Sequence, residues 1–284
     1  ENPVLLSSVA TPDFARGVAV HKGNIYVADN SSGLQVVSGS DLLNPVIIGA
    51  ANTPGFAADV ALSGAMAYVA DGSAGLQIID ISDPTSPVII GSVDTPGSAS
   101  GVAVSGSIVY IADGSAGLQV MDAIDPAMPT IVGSVPTSGS ALDVSLRGDF
   151  AMVADDSAGL QVIDINNPAA PVVLGSQVLS DDALGVAVSG TTAYVASDST
   201  GVQVLELADC LFTCLPEEIG FVIPKGSPKA IEVSGAIGYV ANIGNNALLV
   251  LDLSDTAAPA VIGSVEIPTF AGGGLAYSGS TVYV

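Results

Sequence analysis

The sequence predicts an all-β fold, a β-propeller of seven four-stranded antiparallel blades. Three observations carry that prediction. A unit of about 42 residues recurs along the 284-residue chain, with two separate anchors in phase. Each unit divides into four short β-branched pieces bounded by turn residues. Trp is absent and aromatics make up 5% of the chain, so the core must be Val, Ile, Leu and Ala in thin β layers.

The first anchor is Tyr/Met-Val/Ile-Ala-Asp. It ends at Asp29, Asp71, Asp113 and Asp155, with variants ending at Ser197 and Asn242, in steps of 42, 42, 42, 42 and 45. The second anchor, Gly-Leu/Val-Gln-Val/Ile, starts at Gly33, Gly75, Gly117, Gly159 and Gly201, always 42 residues apart. Two anchors keeping phase over that distance exclude coincidence.

The unit at 101–134 shows the four pieces. They are Gly-Val-Ala-Val-Ser (101–105), Ile-Val-Tyr-Ile-Ala (108–112), Leu-Gln-Val-Met-Asp (118–122) and Thr-Ile-Val-Gly-Ser (130–134). Ser105-Gly106-Ser107 joins the first two, and Gly114 to Gly117 joins the second to the third. Asp125-Pro126 and Pro129 punctuate the last step, where proline sits outside a strand ladder. No segment has the period of about 3.6 that marks a helix. Four short antiparallel strands per 40–45 residues, roughly, is the propeller pattern rather than the solenoid one.

Residues 75–92, Gly-Leu-Gln-Ile-Ile-Asp-Ile-Ser-Asp-Pro-Thr-Ser-Pro-Val-Ile-Ile-Gly-Ser, carry a family resemblance. This unit resembles the LVIVD-repeat family, propeller-forming repeats of bacterial and archaeal surface and secreted proteins. The resemblance covers nearly the whole chain, and residues 201–222 depart from it. It implies a propeller and a place outside the cell or on its surface. It implies no reaction, because one fold hosts many functions.

The first-strand motif occurs seven times: Gly17-Val18, Asp59-Val60, Gly101-Val102, Asp143-Val144, Gly185-Val186, Ile231-Glu232 and Gly274-Leu275. The last unit stops at Tyr283-Val284, before its Ala-Asp turn. Asn2-Pro3-Val4-Leu5-Leu6 matches the fourth-strand piece Asn44-Pro45-Val46-Ile47-Ile48. One domain over 1–284 is therefore expected, with blades at 17–50, 59–92, 101–134, 143–176, 185–224, 231–265, and 274–284 plus 2–9. The seventh blade is then shared between the two chain ends and lacks its third strand. Three explanations compete. The polypeptide continues past Val284 as part of a longer chain, residues 2–9 slide inward to leave three strands, or another molecule donates a strand. A start at Glu1 without Met fits a mature or excised piece.

Charge narrows the partners. Twenty-eight acidic residues face five basic ones (Arg16, Lys22, Arg147, Lys225 and Lys229), for a net of −23. Such a surface repels phosphate backbones and anionic lipid, so nucleic acid is not an expected partner. No apolar run reaches the roughly 18 residues of a membrane helix, so direct membrane insertion is not expected either. Cations and basic proteins remain favoured, and the charge also keeps an apolar chain soluble.

Few residues suggest chemistry. The turn acids Asp29, Asp71, Asp113, Asp155 and Asp198 should form a ring on one face. The first four are weak Ca²⁺ candidates, since hard cations need several oxygens. The competing reading is that each accepts hydrogen bonds from its own turn. The pairs Asp80/Asp83, Asp122/Asp125, Asp164/Asn167 and Asp252/Asp255 lie on the opposite face as turn starters. His21, the one histidine, sits in a first turn where other units have Ser105 or Ser189. No nucleophile elbow, phosphate loop or two-histidine pattern accompanies it.

Cys210 and Cys214 lie in the one irregular stretch, 209–216. A local disulfide is the first reading, and it fits an oxidising compartment. Two ligands alone make a poor zinc site. Asp209, Leu211, Phe212, Thr213, Leu215 and Pro216 form the candidate recognition loop, because they alone break the repeat. Glu217 and Glu218 read as exposed turn acids. No cofactor is expected beyond the weak Ca²⁺ candidates.

The function this predicts is a non-catalytic extracellular or cell-surface scaffold for protein–protein interaction. A self-assembling subunit of a surface layer, filament or adhesin, by strand donation, is the alternative. An enzyme acting at the channel is disfavoured by the scarcity of His, Arg and Lys. Arg16, His21 and a carboxylate together in one cleft would revive it.

Overall fold

The computed structural model describes residues 2–207, 215–224, 226–268 and 273–284. Six blades radiate from a central channel, each an antiparallel sheet whose strands follow chain order from the channel outward. Blade 1 holds β1 Gly17–His21, β2 Asn24–Ala28, β3 Leu34–Ser38 and β4 Val46–Ala51. Blade 2 holds β5 Asp59–Ser63, β6 Met66–Ala70, β7 Leu76–Asp80 and β8 Val88–Val93. Blade 3 holds β9 Gly101–Ser105, β10 Ile108–Ala112, β11 Leu118–Asp122 and β12 Thr130–Val135. Blade 4 holds β13 Asp143–Arg147, β14 Phe150–Ala154, β15 Leu160–Asp164 and β16 Val172–Gln177. Blade 5 holds β17 Ala183–Ser189, β18 Thr192–Ser197, β19 Gly201–Glu206 and β20 Glu217–Val222. Blade 6 holds β21 Pro228–Ser234, β22 Ile237–Asn242, β23 Ala247–Asp252 and β24 Ala260–Glu266. A separate pair, β25 Ala276–Ser278 and β26 Thr281–Tyr283, completes the described strands.

The burial gradient along a blade explains its sequence. The second and third strands are covered on both faces by neighbouring blades, so Tyr68, Val69, Ala70, Leu76, Ile78 and Ile79 are all buried. That is why these strands read as continuous apolar runs rather than as alternation. Each of the first five interblade clusters mixes residues of two blades; one joins Tyr68, Ala70, Leu76 and Ile78 of blade 2 to Val102, Ile111 and Met121 of blade 3. The Gln of the Leu-Gln-Val motif is buried as well. Gln77 Nε2 donates to Ala74 O and Gln119 Nε2 to Ala116 O, which satisfies turn carbonyls.

The third-to-fourth pairing slips by one residue at the same place in every blade, as between Ile78 and Ile79 or Val120 and Met121. The glycine facing that slip is dictated by the next blade. A Cβ on Gly49 would lie 2.3 Å from Pro84 O, and one on Gly91 2.0 Å from Pro126 O. Only glycine admits that approach.

Two expectations are corrected. The molecule is not a seven-bladed propeller of four-stranded blades: it has six, plus the two-stranded β25–β26 sheet. Residues 2–16 form no strand, so the chain ends do not share a finished blade, and residues 2–9 have not slid inward to pair with β26. The reason is a missing ladder. A fourth strand bonds only to a third, and among the described residues no third strand pairs with β26. Residues 2–9 still run where a fourth strand would. Gly263 of β24 approaches Pro3 Cδ as Gly49 approaches the Pro84 loop, and Ser7 Oγ donates to Leu42 O of blade 1.

The second correction is one of register. Ile231 pairs with Val240 as Val18 pairs with Val27, so Ala230, not Ile231, is the counterpart of Gly17. A bulge between Pro228 and Ala230 absorbs the difference. Among the described residues no helix is long and apolar enough to cross a membrane.

Candidate functional site

The inner strands β1, β5, β9, β13, β17 and β21, with residues 273–277, line a channel of about 820 Å³. Its walls are mostly Val, Ala, Leu and Ile. The charged groups in the lining are Asp59, Asp143, Glu232, Arg16 and Lys229.

Asp59 and Asp143 begin β5 and β13, at the register position that Gly17, Gly101 and Gly185 hold in β1, β9 and β17. The alternation has a steric cause. A Cβ on Gly17 would lie 2.6 Å from Asp59 Cα, and one on Gly101 2.8 Å from Asp143 Cα. Each Asp then reaches forward into the next blade. Val102 N–H donates to Asp59 Oδ2 at 3.0 Å, and Val186 N–H to Asp143 Oδ2 at 2.8 Å. These bonds satisfy inner-edge backbone groups that have no further strand to meet.

The charge of Asp59 raises the other two carboxylates, and that of Asp143 raises Glu232. Burial raises Asp59 above its ordinary value. Burial, then the charge of Asp59, pushes Asp143 up to about 6, against the N–H groups of Val186 and Val144. Glu232 is pushed up to about 7 by burial, then by Asp143 and Asp59. Sequence reading grouped Asp59, Asp143 and Glu232 only as parts of a strand motif. The Gly/Asp alternation at the head of the inner strand was the signal that Asp59 and Asp143 face one channel.

The turn acids have a different task. Asp71 accepts from Thr53 Oγ1 at 2.6 Å and Gly55 N–H at 2.8 Å, both in the loop arriving from blade 1. Asp113 takes Thr95 and Gly97 in the same way, and Asp155 takes Thr137 and Gly139. These Asp side chains are buried. They latch each blade to the loop entering it, and burial raises all three above the ordinary value. Asp29 accepts Asp13 N–H at 3.1 Å, while Thr11 Oγ1 donates to Asp13 O. Asp198 accepts the Ser227 hydroxyl. Among the described residues, no group of three or more His, Cys, Asp or Glu is placed to hold a metal ion.

The opposite acids start turns. Asp80 accepts Ser82 N–H, Asp83 accepts Thr85 N–H, and Asp122, Asp125, Asp252 and Asp255 each bond two residues ahead. His21 closes the far end of β1 from Arg16, its Nε2 buried without a hydrogen-bond partner. Arg16 thus shares the channel with carboxylates and His21 does not. Asp209, Cys210, Leu211, Phe212, Thr213 and Cys214 lie outside the described residues. Leu215 is exposed and Pro216 buried.

Blade-to-blade latches repeated at one spacing define a repeat-built β-propeller. The LVIVD repeat model matches residues 14–53, 54–95, 96–137, 138–177 and 225–267, and the chain belongs to the LVIVD repeat family. The stretch between the fourth and fifth matches, 178–224, contains the irregular segment. No curated protein matches the sequence.

Solved structures show the same fold. A functionally unknown protein from Desulfotomaculum acetoxidans is 18% identical with a TM-score of 0.76, over 94% of this chain and 90% of that one. A putative 6-phosphogluconolactonase from Bacteroides uniformis is 14% identical with a TM-score of 0.76, over 90% and 86%. A Lactobacillus plantarum protein is 19% identical with a TM-score of 0.69, over 89% and 81%. At these identities the likeness is one of fold alone.

Proposed function

We propose that the protein is a non-catalytic scaffold, outside the cell or on its surface, that binds protein partners across its outer rim. The rim carries the reading. Val46, Val88, Val172 and Phe221 on the fourth strands are each more than half exposed, and Ile131 and Val261 about two-fifths. Every blade therefore presents apolar side chains beside an unpaired strand edge. Repeated exposed apolar surface of this kind marks interaction sites. The channel supports the same reading, since Asp59 and Asp143 are engaged with backbone N–H groups of neighbouring blades.

The test places a photo-crosslinking residue at Val88 in the protein on intact producing cells. A discrete protein adduct, competed by purified propeller and retained in Asp143→Asn, is expected. No adduct at the rim, with label reaching the protein only after lysis, would overturn the proposal. Self-assembly uses the same rim with another copy as partner, and sedimentation over a concentration series separates the two.

A further inference from the structure

Three departures from the repeat meet in one recess. By the 42-residue step, Arg16 stands where the next two blades have Ala58 and Ser100. Asn30 stands where they have Gly72 and Gly114, and Phe56 where the following loops have Ser98 and Ser140. The equivalence holds in the structure. Asn30 bridges Ala57 as Gly72 bridges Ala99, and Phe56 N–H bonds Asp71 O as Ser98 N–H bonds Asp113 O. Arg16, Asn30 and Phe56 line a recess of about 560 Å³ between blades 1, 2 and 3, together with Ser73, Ser98 and Ser100. It adjoins the channel, with which it shares Arg16, Ala58 and Ser100.

The recess holds one cation, and that cation is fixed in place. Arg16 Nε donates to Asn30 Oδ1 at 3.2 Å, and Asn30 Nδ2 donates to Asp13 Oδ2 at 3.0 Å. The Nη edge of the guanidinium stays open, because among the described residues no carboxylate pairs with it. Two acids of the neighbourhood are engaged elsewhere. Asp13 is held by Asn30 and Ser31, and Asp59 Oδ2 by Val102 N–H. Phe56 is 58% exposed. Ser100 Oγ donates to Ser98 O, while the hydroxyls of Ser73 and Ser98 bond no protein group among the described residues.

The recess offers no backbone edge. Asn30 and Ala57 exchange N–H···O bonds, as do Gly72 and Ala99, and the N–H groups of Ala58 and Ser100 bond Ala70 O and Ala112 O. A ligand here must be recognised by side chains.

We propose that this recess binds a small sugar acid of one or two rings, its carboxylate on Arg16 and one ring face on Phe56. A guanidinium fork matches a planar carboxylate, and a single cation suits one negative charge better than a phosphate dianion. The polarised C–H face of a sugar ring suits the electron-rich face of an exposed aromatic. Serine hydroxyls both donate and accept, as sugar hydroxyls require. The volume falls within the roughly 300–1,000 Å³ of small-molecule sites. A peptide carboxylate matches less well, since the paired backbone gives an extended chain nothing to bond. The net charge of −23 repels long polyanions, which favours a short ligand. The inference goes beyond the scaffold reading and holds whatever the rim binds.

The probe is digalacturonate, titrated against the ¹⁵N-labelled protein and followed by NMR. Saturable shifts are expected at Arg16 Nε–H and at the amides of Phe56, Ser73 and Ser98. Neutral digalactose should bind about tenfold more weakly or worse. Arg16→Ala and Phe56→Ser each bring in a side chain that an equivalent position already carries, Ala58 and Ser98, so the fold should hold. Each should weaken binding by about tenfold or more, and His21→Ser, at the far end of β1, should bind as the parent does. Absence of saturable shifts, equal binding of digalactose, or parent-like binding by either recess variant overturns the proposal. So does equal loss in His21→Ser. Binding of N-acetylglutamate amide as tight as that of digalacturonate also overturns it, by assigning the recess to peptide carboxylates.

Discussion

Blade 2 and the β25–β26 sheet are built from the same kind of sequence and differ in what stands beside them. In blade 2, β6 has partners on both edges and neighbours on both faces, and Ala67, Tyr68, Val69 and Ala70 are all buried. In the short sheet, β26 has one described partner, and its residues are half-buried. The difference teaches that local sequence does not fix burial here. The third strand does, by supplying a ladder edge and apolar side chains to two blade interfaces at once.

The contrast should be largest in core truncations. Leu76→Ala is expected to cost about 2–5 kcal/mol in urea unfolding, because Leu76 is fully buried between blades. Val282→Ala, in the half-covered sheet, should cost less than about 1 kcal/mol. Equal costs would break the comparison.

The latches sharpen it. Asp71→Ala leaves the Thr53 hydroxyl and the Gly55 N–H without their acceptor, a loss of about 2–3 kcal/mol. Asp29→Ala, beside the two-stranded sheet, removes the longer bond from Asp13 N–H and should cost less. The two thermal midpoints measure this directly.

The channel gives a pH dependence of similar size. Asp143 near 6 and Glu232 near 7 are acids whose folded values lie above the unfolded ones. Their cost is absent below the ordinary carboxylate range and complete above the folded values, so stability should fall as pH rises from about 4 to 8. A loss of about 1–3 kcal/mol between pH 5 and 8 is expected, and Glu232→Gln should flatten the slope. The turn acids Asp80, Asp83 and Asp252, held low by their hydrogen bonds, act oppositely and lose their contribution at more acid pH. The smallest effect is at His21. His21→Ser should stay within about 0.5 kcal/mol, since other blades use Ser at that turn.

Most of the blade was legible because its signals are local. The Gly-Leu-Gln anchor, the Asp-Pro turn and the four β-branched pieces each mark one element, and the predicted pieces of blade 3 coincide with its strands to within one residue. The turn reading of Asp80 and Asp83 was legible for the same reason. What was not legible depends on contacts between distant units. Residues 2–6 carry the Asn-Pro-Val start and apolar run of a fourth strand, yet form none, because strand status belongs to the ladder and not to the segment. The channel carboxylates were hidden likewise. Asp59, Asp143 and Glu232 are 84 and 89 residues apart in sequence and meet only when the inner strands close a ring. The one-residue bulge before Ala230 hid Glu232 further, by setting it in the wrong register of its strand.

The most direct test of the account is native-state amide exchange in β2 and β26. Ile25 and Val27 bond to β3, so their amides should exchange only with global opening. Val282 and Val284, at the equivalent positions of β26, should exchange orders of magnitude faster, roughly as fraying strand ends do. Protection at Val282 and Val284 equal to that at Ile25 and Val27 would contradict the contrast between the complete blade and the two-stranded sheet.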